Sequence, residues 1–217
     1  MDFGLYIFFA LASCFVGSIV LALAGHRWIN FLYDRNERIL SFPDKRKERG
    51  RFRPFLLATA FCLAGLRCLF IASSGSELFF LLFASVLLLL MTATDFEQYC
   101  LFDAMMLPFA LGGAAMTLLA YGGWDHWIAA AVGGAVFLLL AILSRGALGG
   151  GDVKLIAALG LWFGSDGLFF ISMVGIIFGG LAAFLLLLLG LKKRKSAFAY
   201  GPYFALTALA LLLLKSV

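Results

Sequence analysis

Apolar runs long enough to cross a bilayer recur along this chain, and no other feature constrains its fold as tightly. In hydrocarbon every backbone N–H and C=O must be satisfied within the protein, which leaves helices or closed barrels as spanning structures. A helical span takes about 17–25 predominantly apolar residues. Candidate spans fall at 3–25, 55–73, 78–94, 104–121, 127–144, 153–165, 167–190 and 198–215. Composition agrees: 64% of the 217 residues are hydrophobic and 13% charged, where a globular domain carries about half and a quarter. Mean hydropathy is +1.04. The expected fold is all-α, a polytopic helical membrane protein of about eight transmembrane spans. The sixth, "VKLIAALGLWFG", is short, so a tilted helix, a re-entrant piece or a segment buried in protein all fit it; a count of seven is the alternative.

The first run lacks the basic start of a signal peptide, and its uncharged stretch, Phe3 to Gly25, exceeds the usual core of about 7–15 residues. It reads as an anchor with the N-terminus outside. Nine of the seventeen Lys and Arg lie between Arg27 and Arg53, four more form "KKRK" at Lys192 to Lys195, and Arg145 and Lys154 flank a glycine triplet. With eight spans all three groups fall on one side, which the positive-inside rule makes cytoplasmic. The chain then divides into a first transmembrane helix (1–25), a basic cytoplasmic linker (26–54) and a helical membrane domain (55–217). The net charge of +5 follows from this topology and suits contact with anionic membrane lipid. No nucleic-acid-binding module appears. Oligomeric state is not legible. Cys14, Cys62, Cys68 and Cys100 lack metal-ligand spacing, so no metal is expected.

Twelve carboxylates are present. Four lie in the basic linker, and Asp2, Glu77, Asp125 and Asp166 lie at outer ends or loops. Asp95, Glu97, Asp103 and Asp152 remain, all at cytoplasmic span ends, where an acid marks a functional site unless it has another partner. Asp95 opens "DFEQYCLFD". Asp152 follows Gly149, Gly150 and Gly151 and precedes Lys154. If helix packing brings Asp95 and Asp152 together, the pair shares a proton. One carboxylate can then activate water while its protonated partner polarises a peptide carbonyl. The glycines would let an extended substrate strand approach closely. The plain readings stand beside this: Asp152 and Asp103 as N-caps, Glu97 as a solvated interfacial acid, and Lys154 as an interface anchor. Residue chemistry alone leaves function and cap even for Asp95 and Asp152.

"GGGDVKLIAALG" resembles the second aspartate motif, G-x-G-D with a lysine two residues on, of the type IV prepilin peptidases. "DFEQYCLFD" is similar to the first, D-x-x-x-x-x-[IL]-P-[DN], with Asp95 as the acid, Leu101 at the aliphatic position and Asp103 at the end; Phe102 stands where the proline would be. "FAYGPYFAL" matches a third feature, a G-P at Gly201 and Pro202, and Gly17–Ser18 is weakly similar. Presenilin-like proteases share G-x-G-D, but this chain lacks their Y-D and P-A-L.

The resemblance implies a membrane aspartic endopeptidase of the bacterial inner membrane, with its active site facing the cytoplasm. It would cleave the leader peptide of type IV prepilins or pseudopilins. Asp95 and Asp152 would be catalytic, with Gly149 and Gly151 shaping the loop and acids such as Glu97, or backbone groups, contacting the basic leader. Longer members carry zinc-binding C-x-x-C pairs after the first span. This linker has no cysteine, so no zinc is expected. No methyl-donor motif is visible, and S-adenosylmethionine would be a cofactor only where N-methylation is retained. The competing readings are an ion-coupled transporter, which would place acids mid-span, and a non-catalytic pilus or secretion assembly protein. His26 and His126 fall on opposite faces and are read as packing residues.

Overall fold

The computed structural model describes residues 3–121, 123–144, 148–190 and 198–214, with side chains from residue 12 onward, those of 120 and 121 excepted. The orienting charges at Arg145 and Lys192 to Lys195 lie outside the described residues. The helices are α1 (Phe3–Arg35), α2 (Arg46–Arg49), α3 (Arg53–Ile71), α4 (Gly75–Gln98), α5 (Asp103–Met116), α6 (Asp125–Leu143), α7 (Gly150–Leu188) and α8 (Gly201–Leu214). There is no strand among the described residues. Five helical segments are long and apolar enough to cross a membrane, and α5 and α8 are shorter apolar helices. The protein is an all-α, multi-pass membrane protein.

Helix α4 lies at the centre, packed against α1, α3, α5 and α8, while α7 packs against α5, α6 and α8. The fully buried side chains come from these contacts: Leu88 and Met91 of α4, Met105 and Phe109 of α5, Leu155, Ile156 and Leu159 of α7, and Phe204 of α8. Large apolar side chains such as Phe169, Ile177 and Phe178 point outward from α7. That is the expected surface where the surrounding solvent is lipid.

Small residues let α6 and α7 approach closely. A Cβ on Gly160 would stand 2.5 Å from the Ala130 backbone nitrogen, and one on Gly134 would stand 3.1 Å from Ala157 Cβ. Helices in lipid gain little from hydrophobicity and associate by such close packing.

The sixth and seventh candidate spans are the two arms of α7, which breaks at Gly164 (φ 65°, ψ −169°). That left-handed φ suits glycine alone without strain. The break is braced by other helices. Ser165 donates from its backbone N–H (2.9 Å) and its hydroxyl (2.5 Å) to Asp125 of α6, so Asp125 caps the second arm from another helix. On the first arm, the carbonyl of Leu161 accepts from Thr117 Oγ1 at 2.8 Å, and Trp162 Nε1 donates to Phe109 O at 2.8 Å. The first arm rises only about 21 Å at 1.5 Å per residue, less than a bilayer core of about 30 Å, and its buried face is held within protein.

Helix α1 runs ten residues past the expected boundary at 25/26. Ile29, Leu32 and Tyr33 are buried at helical spacing, so the polar side of the linker carries an apolar stripe that keeps it helical. The chain beyond it folds back onto the end of α4. Ser41 N–H donates to Gln98 O at 3.3 Å. The Gln98 side chain accepts from Phe42 N–H (2.9 Å) and donates to Phe42 O (3.1 Å).

Candidate active site

Three helix ends converge on Asp95 and Asp152. Asp95 lies in the last turn of α4 and is 5% exposed; Asp152 lies in the first turn of α7 and is 7% exposed. Gly201 opens α8 between them. A Cβ on Gly201 would stand 2.5 Å from Asp95 Oδ2, 3.1 Å from Asp152 Oδ1 and 3.1 Å from Leu101 Cδ1. Both carboxylates thus lie against one point, the α-carbon of Gly201. Pro202, buried in the first turn of α8, has the position a proline tolerates because an N–H there lacks a helical partner.

The two acids sit in unlike fields. Asp152 Oδ2 accepts from the Gly149 N–H at 3.1 Å, and the positive end of the α7 dipole favours its negative charge. Asp95 sits at the opposite, electronegative end of α4. Its Oδ2 is buried and has no hydrogen-bond partner among the described residues. Such an orphaned polar atom is rare in folded proteins and calls for a functional explanation.

The glycine triplet differs from the loop expected of it. Gly149 precedes α7, Gly150 and Gly151 already form its first turn, and none of the three has a positive φ. Gly151 lies in tight contact with Leu101, because a Cβ there would stand 3.1 Å from Leu101 Cβ. Leu101 therefore packs against both Gly151 and Gly201, tying the first motif to the other two. Phe102, in place of a proline, is 4% exposed, with its ring 5.8 Å from that of Tyr33.

Neither acid caps a helix in the manner considered from sequence. Asp152 is the third residue of α7 and reaches back to the main chain of Gly149. Asp103 is the first residue of α5 and makes no cap; its Oδ1 pairs with Lys154 Nζ at 2.6 Å on an exposed surface. Lys154 thereby joins the start of α5 to the start of α7.

Glu97 corrects a sequence reading. It is 8% exposed, not solvated, and a carboxylate at that depth requires a partner. Arg53 supplies one through two parallel bonds, Nε to Oε1 at 2.8 Å and Nη2 to Oε2, and Tyr33 Oη donates to Oε2 at 3.1 Å. Glu97 faces α1 and α3, and both of its carboxylate oxygens accept hydrogen bonds from Arg53 and Tyr33. The signal for this partner was the arginine that opens α3 before Pro54, but it lies 44 residues away in sequence.

Among the described residues, no group of three or more His, Cys, Asp or Glu side chains has an arrangement that could hold a metal. His126 Nδ1 lies 3.0 Å from Leu161 O, and His26 Nε2 lies 3.0 Å from Asn30 Nδ2; both are hydrogen bonds within the fold.

Comparison with known proteins finds a similarity over the part of the chain that carries the site. Residues 81–184 match the type IV leader peptidase family, a segment that contains both aspartates. Proteins described as prepilin leader peptidase/N-methyltransferase from Aeromonas salmonicida and Aeromonas hydrophila are each 30% identical over 128 residues. The match covers 55% of this chain and 43% of the relatives' length. No solved structure gives a significant match. The segment that carries Asp95 and Asp152 is the part of the chain that is similar to the type IV leader peptidase family.

Proposed function

We propose that this protein is an aspartic endopeptidase that removes the leader peptide of type IV prepilins or pseudopilins at the cytoplasmic face of a bacterial inner membrane. The observation that carries the reading is the contact of Gly201 with both Asp95 and Asp152, which joins three separated motifs in one buried site. The family match and the relatives' description as prepilin leader peptidases support the substrate class.

Asp152, favoured as an anion by the α7 N-terminus and the Gly149 amide, is the base that takes a proton from water. Asp95 carries the shared proton and donates a hydrogen bond to the scissile carbonyl. The hydroxide equivalent adds to the carbonyl carbon, and the tetrahedral intermediate collapses as the leaving amine takes a proton from the pair. Water and peptide are the only reactants, so the chemistry calls for no cofactor. Methyl transfer forms no part of the proposal. On the reading of eight crossings with the N-terminus outside, the positive-inside rule supports a cytoplasmic position for both acids.

The test is cleavage of purified prepilin in membranes. Asp95→Asn and Asp152→Asn should each abolish cleavage while the protein accumulates normally. Near-normal turnover by either variant excludes the dyad and leaves the transporter or assembly reading.

A further inference from the structure

We propose that Glu97 and Arg53 are positioning residues for the aspartate pair, acting through the last turn of α4. The inference rests on the peptidase reading for its kinetic arm only. Residues two apart on a helix point about 200° apart. Accordingly Asp95 faces α7 and α8 while Glu97 faces α1 and α3. Any rotation or fraying of this turn moves both side chains together.

The turn is held by groups that sequence places far away. Arg53, 3% exposed, grips Glu97 with two bonds and donates a third from Nη1 to Asn30 Oδ1 at 3.1 Å. Its guanidinium lies 5.2 Å from the Tyr33 ring centre, and Tyr33, fully buried, donates to Glu97. The carbonyls at a helix C-terminus lack intrahelical partners. Here Arg49 Nη2 caps Phe96 O at 2.9 Å, and Ser41 N–H caps Gln98 O at 3.3 Å. The linker is thus a collar on the end of α4, with the Arg53–Glu97 pair as its buried clasp.

A buried ion pair is poor evidence of stabilisation, because apolar replacements of both partners are often neutral or better. What such a pair adds here is direction: the two-bond geometry fixes the azimuth of the turn that carries Asp95. A structural and a positioning role therefore separate in the double variant Arg53→Met/Glu97→Met, which keeps the volume and removes the directional bonds.

Two measurements test this. In the cleavage assay, Glu97→Gln and the double variant should lower kcat at least tenfold with KM within twofold of the parent, the double variant retaining the parental melting temperature. Parental kcat in the folded double variant overturns the proposal. The second measurement needs no activity. In a background with the four native cysteines replaced by alanine, the rate of disulfide formation between Asp95→Cys and Asp152→Cys is compared with and without Glu97→Gln. A fivefold or greater loss of cross-linking supports positioning, and an unchanged rate overturns it. Failure of the peptidase reading would instead show as absence of cleavage by the parent protein, with the cross-linking result unaffected.

Discussion

Gly201 lies against Asp95 so closely that a Cβ on it would stand 2.5 Å from the carboxylate oxygen Oδ2. The same atom would press on Asp152 and Leu101. The smallest side chain available would therefore drive the two acids apart. Gly201→Ala should reduce prepilin cleavage on the order of a hundredfold, the scale expected when reacting groups shift by about 1 Å. Accumulation in the membrane should be unchanged. Cleavage within threefold of the parent would show that Gly201 does not set the spacing of the pair.

Helix α7 offers a paired test of close packing. Gly160 meets the Ala130 backbone, which cannot swing aside, whereas a Cβ on Gly180 would meet nothing within 4 Å. Gly160→Ala should destabilise by about 1–3 kcal/mol, the usual effect of overpacking. Gly180→Ala should leave the detergent melting temperature unchanged or slightly raised, since alanine is the better helix former. Equal melting temperatures for the two variants would contradict the interface between α6 and α7.

The break in α7 predicts a second glycine effect with a different cause. Gly164 has φ 65°, a conformation that costs an L-residue about 1–2 kcal/mol. A Cβ there would also collide with the Asp125 carboxylate that caps Ser165. Gly164→Ala should lower the melting temperature, and Asp125→Ala should do so by releasing the same cap. In the combined variant the two losses should be less than additive, because they act on one joint. Strict additivity would show that the residues act independently.

Cys100 follows Asp95 closely in the chain and invites a cysteine mechanism. Its thiol is pushed up to about 11 by burial first, then by the charges of Asp95 and Asp103. A raised thiol pKa means that the reactive thiolate is absent at neutral pH and appears only as pH rises toward that value. Iodoacetamide labelling of Cys100 should be slow at pH 7.5 and accelerate steeply above pH 10. Cys100→Ser should retain full cleavage; a loss beyond tenfold would reopen the question of the nucleophile.

Much of the site was legible from local sequence. The three motifs at Asp95, Asp152 and Gly201 each sit at the end of an apolar run, and charge asymmetry places them on one face. The eight apolar segments correspond to helical stretches, with the sixth and seventh as arms of one broken helix. Glu97 was misread because its environment is non-local. Sequence shows an acid beside a basic linker, where water is the default partner, and only folding brings Arg53 and Tyr33 to it. The glycine triplet was read as a loop because glycine permits backbone conformations closed to other residues and close approach of an extended strand. Tertiary contact with Leu101 and the Gly149–Asp152 bond instead hold two of them in the first turn of α7.

Sequence by itself determined the class of solvent, the helical fold and which acids lie at the ends of apolar runs, because hydropathy and helix-end chemistry are local properties of the chain. Tertiary structure alone decided that Asp95 and Asp152 meet, that Gly201 rather than the triplet separates them, and that Glu97 pairs with Arg53 and Tyr33. Those outcomes depend on which faces of α4, α7 and α8 turn toward one another. That is settled by packing among residues far apart in the chain, where one Cβ more or less changes the distance between two carboxylates.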